Sequence, residues 1–521
     1  MGIQSGHLFV ALMLGVFLAA SLAWVVAGLY RRRMVILMRG GAAPDVARAG
    51  VTEVLALPPR MPARLDLAAN RRVTMRLLVA LTGVCVLVAL TQAWFALIVQ
   101  VKAFSVNRLL LLGAVYGWPM VLAWGLTLRW PWGRVLGGIA IYLVIMIVLV
   151  MLRSNAQQSL LAVVGWLSTE MGVPLIITLI ISASGRIRAV APYLLPPALV
   201  LSSASILALQ ALSTNVNTSW QVVAPLVDVF GVKGTMLFCA LAPWALLAWP
   251  VFALGRRMAG AYRNKRFSDL GYLFAIYWFV ILMGNAVPAF AGVGTSGLSL
   301  LIPWLWIPVG WWVLTIWRPR EDNPATLLVL RVFQHDAQLE ALFDQVIERW
   351  RFTGNTMLIA GTDLVSRTLD PDDLFTFLDG QLGKRFINSE PDVPQRLANF
   401  DLKPDPDGRY RVNECYCRDT TWESALTALV NRCDVVLMDL RGFQSQNHGC
   451  RYELSVLVKV ANLRRVVVLY DDKTDRQTAA ADIGAAPCGR FLWLEAGRMN
   501  TAKAREVFEA LFTVAPGGPS A

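Results

Sequence analysis

The stretch "DVVLMDLRGFQSQNHGCRYELSVL", residues 434–457, decides how the C-terminal part of the chain folds. Its first seven residues are almost all apolar and do not alternate with polar ones. That is the pattern of a central strand, buried on both faces of a parallel sheet. A polar loop follows, then a helix from about Cys450. At about 100° per residue, Arg451, Ser455, Lys459 and Asn462 share one stripe, which is expected to face water. Glu453 falls on the opposite side, with Cys450, Val456 and Leu457. A glutamate kept only for solubility would sit in the polar stripe. This one is expected to point toward the sheet or a cleft beside it. Burial there raises its pKa, the nearby helix N-terminus lowers it, and the carboxyl needs a partner or a ligand.

The flanking sequence repeats the alternation of strand and helix. "TLLVLRVF" (326–333), "TMLIAG" (356–361), "RYRVNECYC" (409–417), "RRVVVLYDD" (464–472) and "RFLWLEA" (490–496) read as strands. "DAQLEALFDQVIERW" (336–350), a segment starting at Asp370 and Pro371, "TTWESALTALVNR" (420–432) and "TAKAREVFEALF" (501–512) read as helices. Residues 388–408, rich in Pro and Asp, read as a loop or insertion. The pattern predicts an α/β domain over 318–521, a doubly wound parallel sheet with helices on both faces. Ligands of such sheets bind outside the carboxyl ends of the strands. Three segments end strands there: Phe333 to Asp336, Arg418 to Thr421, and Arg441 to Gly449.

Upstream the composition changes. The 521-residue chain is 56% hydrophobic, too apolar for an ordinary soluble protein, and the apolar runs lie in 1–317. Nine stretches are long enough to span a bilayer, at about 20 residues per span: 8–29, 76–100, 109–128, 135–152, 159–183, 190–212, 234–254, 271–292 and 297–317. An α-helical transmembrane bundle over 1–317 is the expectation, with the lipid bilayer as its partner. Residues 1–317 carry 23 Lys/Arg against 6 Asp/Glu, and 318–521 carry 25 against 29. The excess positive charge therefore belongs to membrane loops and gives no argument for nucleic-acid binding. Alternating the spans puts 19 of these basic residues on one side and only Lys102, Arg108, Arg153 and Lys233 on the other. The positive-inside rule then places the N-terminus outside and the C-terminal domain in the cytoplasm, in an inner (plasma) membrane.

Several features carry a functional and a bland reading side by side. Glu170, near the middle of the fifth span, is a membrane functional candidate or a hydrogen-bonding glue between helices. "GVGTSG" (292–297) matches G-x-G-x-x-G but joins two spans and follows no strand, so it is no dinucleotide fingerprint. The seven cysteines show no disulfide framework and no C-x-x-C pair, so buried thiols are expected and no metal site. His448 contacts substrate or is simply exposed. Arg418 and Asp419 bind a ligand or form a surface pair with an N-cap.

At this point the residues resemble a family. "FQSQNHGCRYEL" resembles the segment of Toll/interleukin receptor (TIR) domains in which a strand runs through a Ser-containing loop into a Trp-Cys-x-x-Glu-Leu helix start. Phe443, Ser445, Cys450, Glu453 and Leu454 match, and Gly449 replaces the tryptophan. "RDTTWESALTALVNRCDVVLMDL" resembles the family's Arg-Asp loop with the helix and strand after it, without the expected Pro-Gly. "LLVLRVFQHD" is similar to the first strand of the family. The nucleoside deoxyribosyltransferase-like proteins share the layout. The resemblance implies a TIR-like, flavodoxin-like fold and a catalytic role for Glu453 in cleaving the nicotinamide–ribose bond of NAD, which is substrate and not cofactor. It implies substrate contacts from Phe333, Asp336, Arg418, Asp419, Arg441, Phe443, Ser445, His448 and Cys450. It further implies self-association through the cytoplasmic domain and a role in bacterial defence or stress signalling. A non-catalytic scaffold that recruits cytoplasmic partners, and a membrane sensor or transporter with a regulatory domain, remain as alternatives.

Overall fold

The computed structural model describes residues 5–39, 63–100, 102–153, 159–182, 185–317, 323–331, 337–360, 371–418, 420–460, 463–484 and 489–513. Phe333, Asp336 and Asp419 lie outside the described residues. The chain separates into two compact units, one of residues 1–29, 79–313 and 369–375, the other of 30–78, 314–368 and 376–521.

Among the described residues, eight helices upstream of the sheet are long and apolar enough to cross a membrane: Gly6–Met38, Leu67–Val99, Trp132–Arg153, Leu160–Ser182, Ile187–Val216, Trp220–Arg263, Asp269–Phe290 and Gly294–Ile316. A ninth span results if Val106–Tyr116 and Pro119–Leu128, bent by 42°, count as one. The bend falls just before Pro119, whose ring offers no N–H to the preceding turn. The nine stretches expected from hydropathy correspond to these elements. Large side chains such as Phe17, Trp24, Leu246 and Trp249 point outward. Lipid tails are as apolar as these side chains, so helices in a bilayer gain little by hiding them and pack through smaller residues instead. One buried cluster of the first unit shows this, with Ala89, Ala93, Ala96 and Ala286 around Tyr116 and Leu300. The Trp220–Arg263 element is broken at Gly231 (φ 67°, ψ 171°), a conformation open to glycine because it lacks a Cβ.

Among the described residues, the second unit is built on seven parallel strands: β1 (Ala325–Arg331), β2 (Gly354–Ile359), β3 (Phe386–Ile387), β4 (Val412–Cys417), β5 (Val435–Asp439), β6 (Arg465–Tyr470) and β7 (Phe491–Glu495). They lie in the order β3-β4-β2-β1-β5-β6-β7. Every residue of β1 and β5 is buried, as the uninterrupted apolar runs require of strands covered on both faces. Each fully buried Val or Leu contributes roughly 1.5–3 kcal/mol. At the start of the β1–β2 pair, Gly354 faces Ala325 so closely that a Cβ would stand 1.9 Å from the Ala325 carbonyl oxygen.

Between β2 and β5 the structure differs from the expected helix from Asp370 followed by a loop over 388–408: the helix stops at Leu378, and two short elements follow. β3 is a two-residue edge strand, and Asp392–Ala398 is a short helix. Strand β4 begins at Val412, three residues later than the alternation of 409–417 suggests. The reason is electrostatic. Arg409 pairs with Asp407 at 3.0 Å and Glu348 at 3.4 Å. Arg411 pairs with Asp405 at 2.8 Å and Asp401 at 3.2 Å. These buried guanidiniums hold 401–411 as a tight turn, closed by Gly408 at φ 83°. The Arg476–Ile483 helix was also not foreseen; its N-cap is Asp475, whose side chain accepts from Thr478 N.

Residues upstream of the last span belong to this unit too. Asn70 Nδ2 donates to Arg349 O at 2.9 Å and Thr353 Oγ1 at 2.8 Å. Ala63 N donates to Asp434 Oδ1 at 3.5 Å, and Arg464 donates to Ala63 O. The ring of Tyr30 meets Phe377 edge-on.

Candidate functional site

The strand order runs outward from β1 through β2 on one side and from β5 through β6 and β7 on the other. The gap between the carboxyl ends of β1 and β5 is therefore the topological switch point, where doubly wound sheets take their ligands. Arg331 ends β1 and Asp439 ends β5, and the two are register partners. Both are buried. Neither was singled out in the sequence, although each carries a legible signal: a charge that closes an otherwise apolar strand.

The helix His448–Lys459 follows β5 and turns Cys450, Glu453, Leu454, Val456 and Leu457 inward. The apolar members pack against the β5–β6 core and fix the helix rotation, which carries Glu453 inward with them. Glu453 is 6% exposed, and its Oε2 has no hydrogen-bond partner among the described residues. Burial pushes its pKa up from the ordinary 4.5 to about 8, while the positive charge of Arg331 pulls it down. Cys450 lies beside it, with Sγ 3.9 Å from Arg331 O. Burial raises the Cys450 thiol pKa, the neighbouring Glu453 raises it further, and Arg331 opposes both. Cys450 is therefore a protonated thiol, not a thiolate nucleophile.

The outer face of the helix differs from the sequence expectation in one respect. Arg451 does not simply face water. It forms a two-pronged pair with Asp482 on the Arg476–Ile483 helix, at 2.8 and 2.9 Å. Ser455 is half-buried and donates to Tyr452 O.

The loop before the helix is held from several directions. Gly442 N donates to Asp471 Oδ1 at 2.9 Å, Thr474 Oγ1 to Leu440 O at 2.9 Å, and Asp475 N to Phe443 O at 2.9 Å. Gly442 takes φ 71° at the turn out of β5. The loop after β6 thus pins the loop after β5.

The other expected contact residues fall in different places. Arg441 turns back on Asp439, with Nε at 2.8 Å and Nη2 at 2.5 Å from the two carboxylate oxygens, and so is already engaged. Phe443 is fully buried in the core and packs rather than presenting a face to a ligand. Ser445 and His448 are exposed, His448 as the first residue of the helix. Arg418 stands at the end of β4, separated from β5 by β2 and β1, three strand spacings or about 14 Å. Its Nε is buried without a partner among the described residues. Glu453, Cys450 and Arg441 therefore come together with Arg331 and Asp439, Ser445 and His448 are exposed in the connection between Arg441 and Cys450, and Arg418 lies further along the same carboxyl edge. Among the described residues no group of three His, Cys, Asp or Glu side chains is placed to hold a metal ion. No family model, curated protein or solved structure matches the chain.

Proposed function

We propose that the chain is a membrane-anchored, TIR-like enzyme that hydrolyses the N-glycosidic bond of NAD or a related nucleotide, with Glu453 as its catalytic carboxyl. The observation that carries the reading is a buried carboxyl, one oxygen of which has no hydrogen-bond partner among the described residues, beside the switch in strand order of a parallel sheet. The chemistry fits such a group. The C1′–N bond of the nicotinamide riboside breaks, the base leaves neutral, and the ribosyl carbon becomes oxocarbenium-like. A carboxylate beside it stabilises the growing positive charge, and water adds to C1′, giving ADP-ribose, nicotinamide and a proton. A pKa near 8 suits a group that meets a cation. Unliganded, Glu453 is mostly protonated at neutral pH. A positively charged nicotinamide ring placed next to it favours the ionised form and expels the proton.

In this reading the basic loops keep the second unit in the cytoplasm. Close packing of many copies in the bilayer raises the local concentration of sites that self-associate. The non-catalytic scaffold is the second reading. It is favoured by the engagement of Arg441 with Asp439, which takes that guanidinium away from a diphosphate. The experiment is to incubate the full-length protein in nanodiscs with NAD, NADP and free nucleosides and to separate the released bases. Nicotinamide from NAD supports the enzyme. Intact nucleotides at high protein density overturn the enzyme and favour the scaffold.

A further inference from the structure

The first unit holds a second carboxyl that the nucleotide chemistry does not use. Glu170 sits in a five-residue π-helical turn, Ser168–Gly172, between the α-helical segments Leu160–Leu167 and Val173–Ser182. A π turn widens the backbone and lets one side chain leave the regular helical stripe, and such turns recur at functional positions. Tyr116 Oη donates to Glu170 Oε2 at 3.4 Å. The Tyr116 ring belongs to the buried cluster that also contains Ala89, Ala93 and Ala96 from one helix and Ala286 from another.

Those two helices contribute further polar groups at the same level. Gln92 lies on the turn between Ala89 and Ala96, is 1% exposed, and neither its Oε1 nor its Nε2 has a partner among the described residues. Asn285, next to Ala286, has a buried Nδ2 in the same condition. Its neighbour Gly284 faces Pro174, one turn after Glu170. Two carboxamides with unused hydrogen-bonding groups beside an apolar Ala cluster are costly unless something pairs with them.

We infer that Glu170, Tyr116, Gln92 and Asn285 form an intramembrane proton-binding site, in which the Glu170 carboxyl gains and loses a proton in the working protein. The inventory of groups suits both states. Carboxamide N–H groups and a tyrosine O–H are donors that a carboxylate can take up, and a carboxamide oxygen is an acceptor for a protonated acid. Among the described spans, Tyr116 is the titratable group that touches Glu170. The inference is independent of the nucleotide reading and survives its failure.

The test uses N,N′-dicyclohexylcarbodiimide on the full-length protein in liposomes. The acid O–H adds across one C=N bond, and the adduct rearranges to a stable N-acylurea found by peptide mass spectrometry. A carboxylate held permanently ionised does not react, and a permanently protonated one reacts at every pH. The expected result is an adduct on Glu170 that falls at least tenfold between pH 5 and 9 and is absent in Glu170→Gln. In Gln92→Leu and Asn285→Leu, checked for monodispersity, the midpoint of that fall moves by one pH unit or more. No adduct on folded protein, or a yield flat across the range, overturns the site. An unmoved midpoint in both variants removes the carboxamides from it.

Discussion

Replacing Glu453 by Gln makes the protein more stable at high pH and leaves it nearly unchanged at low pH. In the folded chain Glu453 keeps its proton up to about pH 8, because burial disfavours the charged form. In the unfolded chain it releases the proton near the ordinary 4.5. Between these values the folded state binds more protons than the unfolded one, so stability falls as pH rises and levels off above about 8. With 1.36 kcal/mol per pH unit of difference, the loss between pH 5 and pH 9 is about 4 kcal/mol. Glutamine has nearly the same shape and no such loss. For a unit of this size about 4 kcal/mol corresponds to roughly 10 °C in thermal midpoint. The assay is thermal unfolding of full-length wild type and Glu453→Gln in the same detergent at pH 5, 7 and 9. The gap in favour of the variant should open steadily across the series. An equal gap at pH 5 and 9 would falsify the placement of this carboxyl in a desolvated site.

Arg441→Ala leaves Asp439 buried without its two-pronged partner and should cost about 3–5 kcal/mol, read as a lowered thermal midpoint. Gly354→Ala drives a Cβ into the Ala325 carbonyl and should cost about 3 kcal/mol or more, with hydrogen exchange rising first in β1 and β2. Asn70→Ala removes two hydrogen bonds to 349–353 and should destabilise the second unit by about 1–2 kcal/mol. By the same contacts, a fragment starting at residue 318 should unfold at lower temperature than one that also carries 63–78. Under the proposed catalytic role of Glu453, kcat/KM for the nucleotide should rise with pH up to about 8, as the Glu453 proton is lost from the free protein.

The architecture of the second unit was legible where apolar periodicity dominates. "DVVLMDL" and "TLLVLRVF" become β5 and β1, and the inward turn of Glu453 follows from helix geometry alone. The region 386–411 was not legible. Its order comes from buried Arg–Asp pairs and a two-residue edge strand, and neither has a period to read. The placement of the candidate site's side chains was legible in part. Periodicity located Glu453 and Cys450, but it could not pair Arg331 with Asp439, because that meeting depends on the order of strands distant in sequence. Nor could it show Arg441 folding back on Asp439 or Phe443 sinking into the core. The contribution of residues 63–78 was hidden for a similar reason. Asn70 reads as a polar residue just before an apolar run, and its partners lie about 280 residues away.

The proposed activity rests on the Glu453 side chain. Full-length wild type and Glu453→Gln, both folded and monodisperse at the assay temperature and reconstituted at equal density, should be compared for nicotinamide released from NAD at pH 8. The account predicts steady release by the wild type and a loss of at least a hundredfold in the variant. Equal release by both proteins, or none by either, contradicts it.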